Sequence, residues 1–251
     1  MKIPPVANSL TAAQVLAQVG QDPTATIIGF GSLLSPVSAS HTCPSLTNFR
    51  LCRVKSFRRV FSHPASIFFD RGIAVPSTKE IASLSTEPAG DDDGFVVSTF
   101  DVPNSELSGL LEREEEYNFV RIPVYPLLSS PLPPSSPVGS GYMCTRSTDF
   151  EVLTTRSLFS KYEPHLQPNY GFVSVWDEWG SDSGILPCPV YLRHCVLSSR
   201  REDVCEEGRK SFMEETFLAD RVTSLERYME VEGERIMKCA PPKELEGRYS
   251  G

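Results

Sequence analysis

The stretch Thr24–Ser40, "TATIIGFGSLLSPVSAS", poses the fold problem. Ala25–Phe30 reads as a buried strand that runs straight into Gly29-Phe30-Gly31-Ser32-Leu33. Glycine tolerates positive φ and lets backbone come close to a neighbour. That neighbour is a strand, a phosphate or a small charged ligand. The stretch departs from a dinucleotide fingerprint, because Leu34 replaces the third glycine and Pro36 obstructs the helix that should start there. It also departs from a lipase-type nucleophile elbow, since no glycine stands two residues before or after Ser32. A plain tight turn is the simplest reading of the residues alone.

On the N-terminal side, Thr11-Ala-Ala-Gln14 has the form of a capping box. Ala12, Val15, Leu16 and Val19 follow at helical spacing, and Gly20 stops the run before a turn at Asp22-Pro23. On the C-terminal side, Leu51–Ser62 alternates as one strand, with Val54, Ser56 and Arg58 on one face and Lys55, Phe57, Arg59 and Phe61 on the other. Ile67–Val75 and Gly94–Asp101 read as further strands, joined by the polar connection "STEPAGDDDG". Its Asp91-Asp92-Asp93 lacks the alternate ligand spacing of a calcium loop and reads as a solvated hairpin tip. Asn104–Glu116 reads as a helix capped by Asn104 or Ser105, with Leu107, Leu110 and Leu111 inward. Strands are expected at Phe119–Leu127, Gly141–Thr145 and Tyr170–Trp176, with a Pro/Ser-rich loop near 129–141. From Pro189 the chain turns helical. Leu218, Val222, Leu225, Met229 and Ile236 mark one long C-terminal helix. Many strands with few βαβ crossovers predict an α+β or small-barrel fold. The expected organisation is an N-terminal segment over 1–23, a main domain over 24–200 and a helical C-terminal extension over 201–251.

The net charge is −8, and the basic residues are scattered, which argues against nucleic acid as a partner. The pairs Arg58-Arg59 and Arg200-Arg201 are expected on solvated faces. No apolar run reaches the length of a membrane span. "MKIPPVANSL" has no long apolar core, so a secretory leader is not expected, and a transit peptide would be richer in arginine. The seven cysteines are odd in number and form no C-x-x-C pair. They read as reduced thiols of a cytoplasmic protein, with a processed organellar form left open. Cys52, Cys144 and Cys195 lie in apolar settings and read as packing residues. The histidines lie far apart, and no metal site is expected.

A second signal is Leu111-Glu112-Arg113-Glu114-Glu115-Glu116-Tyr117. Successive helix residues point about 100° apart, so one of three consecutive glutamates can face inward while its neighbours meet water. An inward carboxylate without a cation has a raised pKa, which suits a proton shuttle near neutral pH. A solvated acidic face is the plainer alternative.

Together the two signals resemble the γ-glutamylcyclotransferase-like family. Its "YGS-[NL]-L" loop is matched by Phe30-Gly31-Ser32-Leu33, and its "L-D-x-x-E-G-x-x-Y-x-R-x-x-V" segment by Leu111, Glu112, Glu115, Glu116, Phe119, Arg121 and Val124. Glu116 stands where the family has glycine. Pro187-Cys188-Pro189-Val190-Tyr191 resembles the family's "P-S-x-x-Y" entry to the last helical part, and Tyr142 resembles a tyrosine on a late strand. The resemblance runs from Ile27 to Tyr191, without a counterpart for Arg146–Ile185 or for the chain after Arg201. It implies an α+β, γ-glutamylcyclotransferase-like small mixed β-barrel with packed helices and a helical C-terminal extension. It implies Glu115 as general acid/base and Phe30, Gly31, Ser32, Leu33, Tyr191 and Tyr142 as substrate-binding residues. It implies cyclisation of a γ-glutamyl group to 5-oxoproline with loss of an amine, and no cofactor or metal. The loop amides would hold the substrate's α-carboxylate and an oxyanion.

Two other readings stand beside it. One is a non-catalytic binding module on the same fold; an outward Glu115 favours it, and an inward one favours the cyclase. The other is a hydrolase or acyltransferase using Ser32, with His41 or His63 as base. Phe30 and Phe119 read as core, Arg121 as a partner for a carboxylate, and Trp176 and Trp179 as half-buried turn residues. The expected partners are a small γ-glutamyl molecule and, through the C-terminal helix, a second copy of the chain. No membrane is expected as a partner.

Overall fold

The computed structural model describes residues 6–251. Met1–Pro5, the start of the expected N-terminal segment and of the stretch read for a leader, lie outside the described residues. The capping box forms as read: Thr11 and Gln14 cap each other's backbone, α1 spans Ala12–Val19, and Gly20 ends it. Strand β1 follows at Thr24–Gly29, and α2 at Pro36–Thr42.

β1 is the middle of a five-stranded sheet. Its order is β2 (Thr47–Lys55), β5 (Gly94–Pro103), β1, β7 (Gly139–Thr145) and β6 (Asn118–Val124). β1 pairs antiparallel with β5 and parallel with β7, with Ile27 opposite Tyr142. The sheet curls until its edges meet. Arg53 N–H donates to the Tyr125 carbonyl and Tyr125 N–H to the Arg53 carbonyl, both at 2.8 Å. A strand's side chains alternate between faces. Ile28, Cys52, Val54, Phe95, Val97, Val120, Val124 and Met143 therefore fill the barrel. The other face of β1, Ala25 and Ile27, packs with Val15 and Val19 of α1 and with Leu107, Leu110 and Leu111 of α4 (Asn104–Arg113).

A second sheet of four strands has the order β8 (Leu186–Pro187), β4 (Glu80–Pro88), β3 (Phe57–Pro64) and β9 (Thr216–Phe217). Around it lie α3 (Ser66–Asp70), α5 (Phe159–Tyr170), α6 (Pro189–Ser199), α7 (Glu206–Glu214), α8 (Leu225–Lys238) and α9 (Glu246–Tyr249). The fold is α+β, a small mixed barrel with packed helices, as expected from the strand pattern and the family resemblance.

Several elements differ from the sequence reading. Leu51–Ser62 is two strands in different sheets, broken at Ser56, whose φ is 58°. Ile67–Val75 is α3 followed by a turn with Gly72 at φ 63°. Glu80–Pro88 is a strand, which confines the hairpin tip to the residues around the exposed Asp91–Asp93. Tyr170–Trp176 is the end of α5 and irregular chain. α4 stops at Arg113 and starts after Pro103 without a side-chain cap. The long C-terminal helix begins only at Leu225; Val222 is exposed in the loop before it. Past Arg201 the chain is woven into the body: Phe212 joins the main core and β9 extends the second sheet. Trp176 and Trp179 are fully buried, with indole N–H groups donating to Glu116 O at 3.1 Å and Ser174 O at 2.7 Å. All seven cysteines are free. No described helix is long and apolar enough to cross a membrane.

Candidate active site

The site begins where β1 ends. A Cβ on Gly29 would lie 2.6 Å from both Leu33 Cβ and Ser98 Oγ, so only glycine fits the bend. Ser98 Oγ fastens the turn by donating to Leu33 O at 2.7 Å. Beneath it lies Arg59, which is fully buried and not on a solvated face. Its guanidinium donates to Phe30 O and Val96 O at 3.1 Å and to Ser211 O at 2.7 Å. Burial lowers its pKa to about 9. Sequence reasoning missed Arg59, because a paired arginine in an alternating strand carries no sign of burial.

The turn opens on a cavity of about 370 Å³. Phe30, Gly31, Ser32, Leu33, Tyr142 and Tyr191 all line it, so the structure gathers the expected substrate-binding residues in one place. Gly31 and Leu33 N–H have no hydrogen-bond partner among the described residues. Ser32 N–H is directed to the Cys195 sulfur. Unpaired backbone donors beside a cavity form an anion site. Tyr191 stands over Gly31: a Cβ there would lie 3.3 Å from its hydroxyl. Its ring packs on Phe61 and Phe68, so it serves core and cavity alike. Cys195 is thus more than filler, since its buried thiol, pushed up to about 12, meets both Ser32 N–H and the Tyr191 hydroxyl. Tyr142 bonds Gln18 at 3.3 Å, and Arg121 lies over its ring at 5.8 Å rather than beside a carboxylate.

The three glutamates have three different surroundings. Glu115 does not line the cavity. Its half-buried carboxylate turns outward to pair with Lys161. Glu116 is buried and accepts from Ser66 N–H at 2.8 Å, Ser66 Oγ at 2.7 Å and the Tyr162 hydroxyl at 2.5 Å. Burial raises its pKa against those hydrogen bonds; Glu116 lines the cavity, with its carboxylate engaged by α3 and α5. Glu114 lines the cavity. Its carboxylate accepts no hydrogen bond among the described residues. Deep placement pushes its pKa up to about 7; the charge of Glu116 adds to the rise, and Arg113 and Arg248 oppose it. Tyr117, Cys144 and Tyr191 all sense its charge.

The structure thus turns Glu115 away from the cavity and brings Glu114 and Glu116 to it. Successive residues point about 100° apart only within a helix, and α4 ends at Arg113, so the three glutamates ride a turn instead.

Ser32 has no histidine partner. His63 is buried away from the cavity, stacked on Trp176, with both ring nitrogens unpaired. Burial lowers its pKa to about 3. His41 lines the cavity but makes no hydrogen bond to Ser32. No cluster suited to a metal ion occurs among the described residues.

No protein-family model matches the chain, and no curated protein matches it in sequence. Among solved structures it is similar to a γ-glutamyl cyclotransferase specific to glutathione from yeast, at 14% identity and a TM-score of 0.43, over 87% of this chain and 98% of that one. It is similar to another γ-glutamyl cyclotransferase at 13% identity and a TM-score of 0.36, over 49% of this chain and 67% of that one. An uncharacterised protein from Homo sapiens is similar at 14% identity and a TM-score of 0.38, over 50% of this chain and 68% of that one. The γ-glutamylcyclotransferase-like family is named by the resemblance of the sequence motifs. At 13–14% identity and TM-scores of 0.36–0.43 these similarities assign neither family nor substrate.

Proposed function

We propose that the protein is a γ-glutamylcyclotransferase-type enzyme with Glu114, not Glu115, as its acid/base. The observation that carries this reading is a carboxylate with a pKa of about 7 in the same cavity as the unpaired Gly31 and Leu33 amides. The amides hold the α-carboxylate and the developing oxyanion of a γ-glutamyl group. Glu114 removes a proton from the α-ammonium. The freed amine attacks the γ-carbonyl, closing a five-membered ring, and the C–N bond to the leaving amine breaks. Glu114-H returns the proton to that amine. Attacker and target are tethered, so much of the entropic barrier is already absent. A pKa near 7 leaves both forms of Glu114 populated at neutral pH, as a two-way shuttle needs.

The outward Glu115 favours the second reading, a binding module on the same fold. Its weight falls because the neighbouring Glu114 supplies an inward carboxylate in the same cavity. The deciding experiment is release of 5-oxoproline and free amine from γ-glutamyl compounds. Equimolar release by wild type and none by Glu114→Gln supports the cyclase. No release from any γ-glutamyl compound by folded wild type supports the binding module.

A further inference from the structure

The chain is acidic, with a net charge of −8, yet arginines gather at the mouth of this cavity. Arg113, at the end of α4, and Arg248, on α9, both line it and both act on Glu114. Arg248 feels Arg113 and Arg71 as like charges, and these, after burial, lower its pKa. None of the three is ion-paired to a carboxylate among the described residues. Arg113 donates to Thr42 O at 3.0 Å, and Arg71 to the Tyr249 hydroxyl at 2.9 Å. Other arginines of the chain do pair with carboxylates, as in Arg58–Glu87 and Arg221–Glu87. Converging like charges raise the energy of the empty site and draw in an anion.

Arg248 is held at this mouth by its neighbours. Tyr249 is buried, and its ring meets His194 edge-on at 5.5 Å. Gly251 N–H donates to His194 Nδ1 at 3.0 Å, and Arg71 lies over the Tyr249 ring at 5.6 Å. α9 thus brings a cation from the far end of the sequence to a cavity built mainly from β1, α4 and α6.

We infer that Arg113 and Arg248 form a carboxylate subsite for the leaving half of the substrate. The substrate class is then γ-glutamyl amino acids or peptides rather than γ-glutamylamines. This rests on the γ-glutamyl reading of the cavity. With the γ-glutamyl α-carboxylate on the loop amides, the amide nitrogen and its substituent extend toward the mouth. A carboxylate on that substituent meets two guanidiniums, which bind carboxylates through paired N–H···O bonds. An amine without a carboxylate leaves them unmatched. Both arginines are exposed at the mouth, so solvent weakens the pairing and holds the selectivity to roughly tenfold.

The test compares γ-glutamyl-alanine with γ-glutamyl-alaninamide, which lacks only the negative charge. Wild type is expected to favour the acid in kcat/KM by about tenfold, less at high salt. Arg248→Gln and Arg113→Gln each bring the ratio toward one, and Arg248→Lys keeps part of it. Turnover of both compounds with no preference, or a preference unchanged in the variants, overturns the subsite and leaves the cyclase standing. Absence of 5-oxoproline from either compound overturns the cyclase instead. Calorimetric binding of the same two compounds to Glu114→Gln then decides the subsite: tighter binding of the acid supports it, and equal or absent binding overturns it.

Discussion

The barrel interior and the cavity beside it share strand β1 and differ in nearly everything else. Inside, Ile28, Val54, Phe95, Val97 and Met143 close on one another, with the Arg59 guanidinium 4.7 Å over the Phe95 ring at one side. At the strand's end the chain turns back on Gly29, leaves two amides unpaired and faces an isolated carboxylate. A closed five-stranded barrel is too narrow to hold both a packed core and a ligand, so its chemistry lies where the strand stops. The interior sets the position of the loop, and the loop and Glu114 carry the proposed reaction.

That contrast is broken most severely at Glu114. Glu114→Gln removes the proton shuttle, and turnover is expected to fall by about 10²- to 10⁴-fold with the fold intact. The matching change inside the barrel is Met143→Ala. It should cost about 2–5 kcal/mol of stability, read as a lower denaturation midpoint, while the protein that remains folded keeps its KM. Both effects of similar size on activity per folded molecule would erase the distinction between the two regions.

The pH dependence sharpens it further. With Glu114 at about 7, kcat/KM should fall about tenfold per unit as pH drops below that value, and level off above it. Stability should move the opposite way. The folded-state pKa is raised, so the folded protein binds the Glu114 proton more tightly than the unfolded chain does. This contribution is full below the ordinary carboxylate range and is lost as pH rises through about 7. Glu114→Gln should therefore gain in melting temperature over wild type at pH 8 and not at pH 4. The smallest effect belongs to Glu115→Gln. Breaking a half-exposed pair with Lys161 should change stability by no more than about 0.5–1 kcal/mol and leave turnover near wild type.

The parts legible in the sequence were those with local chemical punctuation. The capping box at Thr11, the glycines closing β1 and the leucine spacing of α4 each state their structure within a few residues. The loop residues Phe30–Leu33 with Tyr142 and Tyr191 were legible through the family motif, and the fold brings them to one cavity. The misread parts are those decided by tertiary contact. β4 is buried on both faces and built largely of small residues, so it shows no alternation. Ser56 takes a left-handed turn without a glycine to announce the break between β2 and β3. α5 is masked by Pro164 and Pro168 inside it. Which glutamate faces inward hung on the last turn of α4: the helix stops three residues earlier than expected, and Glu114 and Glu116 rather than Glu115 line the cavity.

The most direct test is 5-oxoproline release by Glu114→Gln and Glu115→Gln, assayed side by side with wild type on γ-glutamyl-alanine. Loss of release in Glu114→Gln with near-normal release in Glu115→Gln is the predicted result. Loss in Glu115→Gln with retention in Glu114→Gln would contradict the account.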